Sequence, residues 1–284
     1  MVKTAHLLNG KEIAAKRLEK ISKELLELRQ TGAELSLTTV QIGQAHDTAL
    51  YSKAIGNLLA KLQIHHNALN FPETIQEKEL REAIFKINKD PRVTGLMLFA
   101  PLPEHIALDV IIRAVDVFKD VEGRRMGLSA RSKVMPPTAM AAIALFEETG
   151  INATGKEVLI IGRSDVVGKP AALMMLEKNA TVTIAHSKTA DLKGHVRQAD
   201  IVIISVGKPE LVKGEWVKPG AVVIDVGENM VNGKLTGDVE FEKAKEFASY
   251  ISPVPGGVGP VTNVMLVQNL ISLYKLQVMH HGNP

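Results

Sequence analysis

Residues 158–176 read VLIIGRSDVVGKPAALMML. Val158–Ile161 is an apolar, β-branched run of strand character. Gly162 opens a turn, and Gly168 leads into apolar residues at helical spacing. A strand, a tight turn and a helix whose first N–H groups point into the turn make a site suited to a phosphate. A P-loop has four residues between its glycines and then Lys and Ser/Thr. Here five intervene and Pro170 follows Lys169. Proline brings neither a hydroxyl nor an N–H, so the nucleoside-triphosphatase reading fails. The dinucleotide loop G-x-G-x-x-G is nearer, although this loop is one residue longer and has Arg163-Ser164 where a glycine is usual. On the glycines alone an ordinary strand-to-helix turn is the alternative.

The next strand bears on that choice. Sites for NAD place an acid about 20 residues on, at the end of the second strand, to bind the ribose 2′-OH. This chain has TVTIAHSKT (181–189) there, with His186, Ser187 and Lys188. A cation and a hydroxyl, with Arg163 nearby in sequence, suit a 2′-phosphate through charge-assisted hydrogen bonds. NADP is therefore expected, with NAD as the alternative; a solvated surface lysine is the plain reading of Lys188.

Around this loop the pattern is α/β. Strands are expected at 157–161, 181–185, 201–205 and 221–225, followed by the proline- and glycine-dense YISPVPGGVGPVT (250–262) and an apolar helix over 263–276. Upstream, Leu18, Ile21, Leu25 and Leu28 mark one face of a helix ending near Thr31-Gly32. LSLTTVQI (35–42) and HHNALNF (65–71) read as strands, TGLMLFAPLP (94–103) as a buried strand, and 48–62 and 76–89 as helices. Strands separated by helices imply parallel βαβ units. Pro136-Pro137 marks a domain boundary, so two α/β lobes with a ligand cleft are expected.

Bulk properties narrow the function. The 284 residues carry a net charge of +3 with no basic block, which calls for neither nucleic acid nor membrane. With no cysteine, thiolate chemistry and disulfides are excluded, and a reducing cytoplasm is the expected compartment. No signal peptide and no apolar run of membrane length is evident. The adjacent pairs His65-His66 and His280-His281 cannot turn both side chains to one face, so no metal site is expected.

The segments GRSDVVGKPAALMMLEKNATVTIAHSKTADL, ADIVIISVGKPELVKGEWVKPGAVVIDVG, GDVEF and SPVPGGVGPVT closely resemble the methylenetetrahydrofolate dehydrogenase/cyclohydrolase family. VQIGQAHDTALYSKA and GLMLFAPLPEH extend the likeness to the first lobe. The resemblance implies a folate-binding lobe (1–136 and 264–284), a Rossmann-type NADP lobe (137–263) and a homodimer, with other one-carbon enzymes as further partners. It implies that Gly162, Arg163, Ser164 and Ser187 hold the dinucleotide, with Lys188 and Thr262 beside them. Val206, Gly207, Gly227 and Glu228, with Pro255, Gly256 and Gly257 of the PVPGGVGP loop, would line the nicotinamide and pterin sides. The implied chemistry is oxidation of 5,10-methylenetetrahydrofolate to the methenyl form, then hydrolysis to 10-formyltetrahydrofolate.

Three positions depart from the family pattern: a lysine and the glutamine that tunes it, which bear on the second step, and an aspartate for the pterin ring. The family has a lysine four residues after a tyrosine; here Tyr51 is followed by Ile55, and Lys53 lies about 200° away around a helix. The glutamine of VQLPLP is Phe99 in LFAPLP, and the aspartate of DVDG is Glu122 in DVEG. RRMGLSA, which follows, is about four residues shorter than the family's segment by that resemblance. Hydride transfer needs two rings held face to face and no proton from the protein. Hydrolysis needs water addition and proton transfer, for which a positioned lysine is suited. Ile55 and Phe99, beside the retained Tyr51, thus point to a dehydrogenase with weak or absent cyclohydrolase activity, while Glu122 can still offer a carboxylate to the pterin. The alternatives are a bifunctional enzyme using Lys53 or a water, a non-catalytic folate- and NADP-binding subunit, and an enzyme of another pterin carrier.

Overall fold

The computed structural model describes residues 4–43, 46–125 and 134–281. Met126–Ala130 of RRMGLSA lie outside the described residues, as do Gln44 and Ala45 of the first-lobe motif. The chain begins with β1 (His6–Leu7) and α1 (Gly10–Gln30), which ends where Gly32 takes a φ of 84°. There follow β2 (Ser36–Ile42), α2 (His46–Lys61), β3 (His65–Phe71), α3 (Glu77–Lys89), β4 (Gly95–Leu98) and α4 (Leu108–Ala114). The remainder is α5 (Pro137–Glu148), β5 (Glu157–Ile161), α6 (Gly168–Glu177), β6 (Thr181–Ala185), α7 (Leu192–Gln198), β7 (Ile201–Ile204), β8 (Val222–Asp225), β9 (Asn229–Val231), β10 (Lys234–Thr236), α8 (Phe241–Ala244), β11 (Tyr250–Ile251) and α9 (Val258–His281).

The fold is α/β, as expected. It divides into two compact units: a C-terminal unit made of residues through Leu18 with Pro136–Met265, and an N-terminal unit made of Glu19–Met135 with the segment from Leu266 onward. The assignment of 1–136 to one lobe differs at its start. β1 pairs in parallel with β11, His6 opposite Tyr250, so the first residues complete the C-terminal unit's sheet.

In the N-terminal unit a parallel sheet has the order β3-β2-β4. The central strand, β2, is buried along nearly its whole length, which suits a sheet covered on both faces. α3 lays Leu80, Ile84 and Ile87 against Val40, Leu96 and Ile111. The expected strand 94–103 is shorter, closing at Leu98. Gly95 is required there because a β-carbon would press on Leu270 of α9.

The C-terminal unit's sheet runs β1-β11-β8-β7-β5-β6, with every pair parallel. From β5 the chain goes to β6 on one side and returns to β7 on the other, and the loops at such a reversal part to leave a crevice. α5, whose alanines 139, 141, 142 and 144 are all buried, packs against α6 and β8. α9 starts at Val258 rather than at 263, because Pro260 falls in the first turn, where an N–H has no helical partner to lose. No helix among the described residues is long and apolar enough to cross a membrane.

Ile84 is fully buried in the N-terminal unit's core, so Ile84→Ala should destabilise that unit by about 2–5 kcal/mol. Exposed Lys78→Ala on the same helix should stay within about 0.5 kcal/mol. Denaturant unfolding of both variants, with equal losses at the two positions, would reject the assigned face of α3.

Candidate functional site

The parallel register of the C-terminal unit brings the sequence-derived cofactor residues to one edge. Ile161 lies opposite Ala185 and Ile204, and Ile204 opposite Asp225. The loops that leave β5, β6, β7 and β8 therefore carry Gly162–Ser164, Ser187-Lys188, Val206-Gly207 and Gly227-Glu228 on the same rim. At Gly162 φ is 120°, and a β-carbon would press into the Ser205 carbonyl; at Gly168 it would press into the Gly162 carbonyl. The turn is thus as tight as backbone allows, and the unusual spacing still gives the strand–turn–helix arrangement that admits a phosphate. Ser164 Oγ accepts the N–H groups of Val167 (3.2 Å) and Gly168 (3.4 Å), occupying part of the helix N-terminus itself. Arg163, Ser187 and Lys188 are exposed at neighbouring strand ends, where an anion can reach them. His186 caps its own loop, its Nδ1 accepting the Lys188 N–H (3.2 Å).

Thr262, in the first turns of α9, donates to the Val258 carbonyl (3.4 Å). Pro255, Gly256 and Gly257 lie in the C-terminal unit, just before α9. Gly256 has a φ of 105°, and its carbonyl accepts the Gly10 N–H (2.8 Å).

In the N-terminal unit Tyr51, Phe99 and Glu122 come together. The rings of Tyr51 and Phe99 meet edge-on with centroids 5.9 Å apart. Ile55, one turn along α2 from Tyr51, is 1% exposed, and Phe99 is 5% exposed. Lys53 is exposed on the helix's other side. The Glu122 carboxylate accepts the Leu98 N–H on one oxygen (3.2 Å) and the Arg124 guanidinium on the other (2.8 Å). This ion pair is mostly shielded, with side-chain exposures of 14% and 18%. Burial pushes the Glu122 carboxyl up, against the pull of Arg124 and the Leu98 N–H. Burial, and next the charge of Glu122, push the Tyr51 phenol up to about 12, with Arg124 opposing.

Arg124 escaped the sequence reading, which weighed its segment by length. Its partner lies two residues away across Gly123, whose φ of 60° bends the chain back, and no periodicity signals such a pair. Its Nε is buried without a hydrogen-bond partner. The turn is anchored by Asn269 of α9, whose amide donates to the carbonyls of Val121 (2.9 Å) and Met135 (2.8 Å). Among the described residues no group of His, Cys, Asp or Glu is arranged to hold a metal ion.

An acid whose value is raised in the fold keeps its proton where the unfolded chain has lost it, so native stability falls as pH climbs through that window. For Tyr51 the window runs from about 10, the unfolded value, to about 12. A phenolate absorbance titration should show one tyrosine ionising near the upper limit, and Tyr51→Phe should remove that component. A wild-type curve with every tyrosine titrating near 10 would contradict the burial.

Comparison with known proteins adds sequence evidence. Residues 8–122 match the family model of the tetrahydrofolate dehydrogenase/cyclohydrolase catalytic domain, and residues 136–278 match that of its NAD(P)-binding domain. The chain is similar to "Bifunctional protein FolD 2" of Geobacter sulfurreducens, 43% identical over 278 residues that cover 96% of this chain and 98% of that one. Its structure resembles a bifunctional methylenetetrahydrofolate dehydrogenase/cyclohydrolase of Campylobacter jejuni, with a TM-score of 0.91, 35% identity, and coverage of 96% and 99%. It also resembles a Trypanosoma brucei methylenetetrahydrofolate dehydrogenase-cyclohydrolase complexed with NADP and an inhibitor, with a TM-score of 0.88, 33% identity, and coverage of 97% and 99%.

Proposed function

The chain belongs to the tetrahydrofolate dehydrogenase/cyclohydrolase family, and on that premise we propose that it is an NADP-dependent 5,10-methylenetetrahydrofolate dehydrogenase with little or no cyclohydrolase activity. The similar proteins named above are bifunctional, and the reading for this chain departs from theirs at the second step. One observation carries that departure: where the family pattern places a lysine and a glutamine, this chain buries Ile55 and packs Phe99 edge-on against Tyr51.

The two steps make different demands. NADP, when bound, would supply the hydride acceptor that turns the folate methylene into the methenyl form. For that step the protein supplies orientation. Arg163, Ser187 and Lys188 suit the 2′-phosphate, the Gly162–Gly168 turn suits the pyrophosphate, and Val206, Gly207, Gly227 and Glu228 suit the nicotinamide end. Glu122 has lone pairs left beside Leu98 and Arg124 for the pterin's amino and N3–H groups. Hydrolysis adds water to the methenyl cation and takes both protons from that oxygen; one goes to the folate nitrogen whose bond to the carbon breaks, and one is released. Ile55 and Phe99 can neither accept nor donate a proton. The cation paired with Glu122 is the Arg124 guanidinium, already engaged with that carboxylate. Lys53 is exposed on the opposite side of α2, which speaks against its acting as a substitute. A homodimer, and encounters with other one-carbon enzymes, form part of the same reading.

Purified protein given methylenetetrahydrofolate and NADP should accumulate methenyl product in step with reduced cofactor. Its hydrolysis should run at the uncatalysed rate, about 10²–10⁴-fold below that of a lysine-containing relative. Reduced cofactor appearing without methenyl accumulation would refute the proposal, and no turnover would favour a binding role or another pterin. Lys188→Ala should raise the KM for NADP about tenfold while leaving that for NAD nearly unchanged, because one charged hydrogen bond to the 2′-phosphate is lost. Equal changes with both cofactors would remove Lys188 from the 2′-phosphate site.

A further inference from the structure

Two loops assigned to the nicotinamide end, after β7 and after β8, close on side chains that have no role so far. Asp238 is 0% exposed. Its Oδ2 accepts the N–H groups of Val206 (2.7 Å) and Gly207 (3.1 Å), and its Oδ1 accepts the N–H of Lys208 (2.7 Å) and the amide of Asn229 (2.9 Å). A carboxylate has about four lone-pair positions, so this one is filled. Successive peptide N–H groups can converge on one anion only if the backbone curls, and Gly207, at a φ of 65°, supplies the curl.

Asp238 is held in turn. Asp225, at the end of β8, accepts the N–H groups of Gly227 (2.9 Å) and Asp238 (3.1 Å) on Oδ1 and that of Val239 (2.8 Å) on Oδ2. Its own N–H donates to Ser252 Oγ (2.8 Å). The packing leaves no slack: a β-carbon at Gly227 would press into the Asp238 carboxylate, and one at Gly237 into that of Asp225. Two carboxylates in series thus tie the strand end at β8 to the backbone of residues 206–208.

We propose that Asp238 is a positioning residue for the nicotinamide end of the cofactor, setting the 206–208 loop through its backbone while Asp225 sets Asp238. The inference rests on the assignment of Val206-Gly207 and Gly227-Glu228 to the nicotinamide. An amide at position 238 has one oxygen for these donors and turns an NH₂ toward others. Val206 and Gly207, or Lys208 and Asn229, then face a donor instead of an acceptor. The loop shifts, while the rim that carries Arg163, Ser187 and Lys188 keeps its own supports.

The test is calorimetric binding to the full chain of NADP and of 2′-phospho-ADP-ribose, which is NADP without its nicotinamide. Asp238→Asn should weaken NADP about tenfold or more and change the fragment less than about twofold. Equal weakening of both ligands, or no change in either, overturns the proposal, since loss of general stability does not distinguish them. If Asp238→Asn does not fold, Asn229→Ala decides. It removes one of the four donors and should weaken NADP by roughly threefold with the fragment unchanged; equal effects again overturn the proposal. A wild-type chain that binds neither ligand overturns the NADP reading, and this inference with it. Because the readout is binding, failure of turnover alone leaves the two outcomes distinct.

Discussion

At Gly162 the chain leaves β5 with a φ of 120° while its N–H remains bonded to the Ala185 carbonyl (2.9 Å), and six residues later Gly168 begins a helix against the Gly162 carbonyl. Both approaches are backbone on backbone, closer than a β-carbon permits. β6 and β7 can flank β5 in register only because the turn between β5 and α6 takes so little room. That register carries the loops after β5, β6, β7 and β8 to one rim. That approach of Gly168 to the Gly162 carbonyl keeps the strand–turn–helix arrangement although Arg163-Ser164 stand where the second glycine is usual.

The N-terminal unit handles charge differently from the family pattern. A lysine and an aspartate would bring one cation and one anion; Arg124 and Glu122 bring the same sum. A guanidinium differs from an ammonium in presenting a rigid, planar fork of donors, one of which meets the Glu122 carboxylate. Enclosing such a pair costs desolvation, offset here by the Leu98 N–H and by the short, charge-assisted contact. The site keeps its electrostatics and becomes apolar on the side of Ile55 and Phe99.

Elements with a long repeat were legible in the sequence. The face Leu18–Leu28, the strands at 157–161 and 181–185, and the helix expected at 76–89 all lie where periodicity puts them, to within a residue. What escaped was short or built by long-range contact. β1 and β11 have two residues each, too few for any alternation, and α4 lies within an apolar run, IALDVIIRAV, that fits strand and helix alike. The β9–β10 hairpin did carry a signal, Asn232-Gly233, both at positive φ, and it was passed over. In the N-terminal unit Tyr51, Phe99 and Glu122, which the structure brings near one another, are the residues that a motif singles out. Arg124, Asn269 and Asp238 are not among them, because their roles depend on a turn at Gly123, a helix far along the chain and a strand end, none of which spacing encodes.

The pairing of β1 with β11 also has a bearing on biosynthesis. His6 is synthesised 244 residues ahead of its partner, Tyr250. At about 5–20 residues per second, roughly 10–50 s separate their syntheses. Throughout that interval the first described strand has no partner, and from the time β8 is made its edge waits for β11. The sheet closes outward from β5, β6 and β7, and its last strand to be added is the first one made. A nascent chain therefore carries β1 unpaired until β11 is made, and truncation anywhere before residue 250 leaves β1 without its neighbour in the sheet.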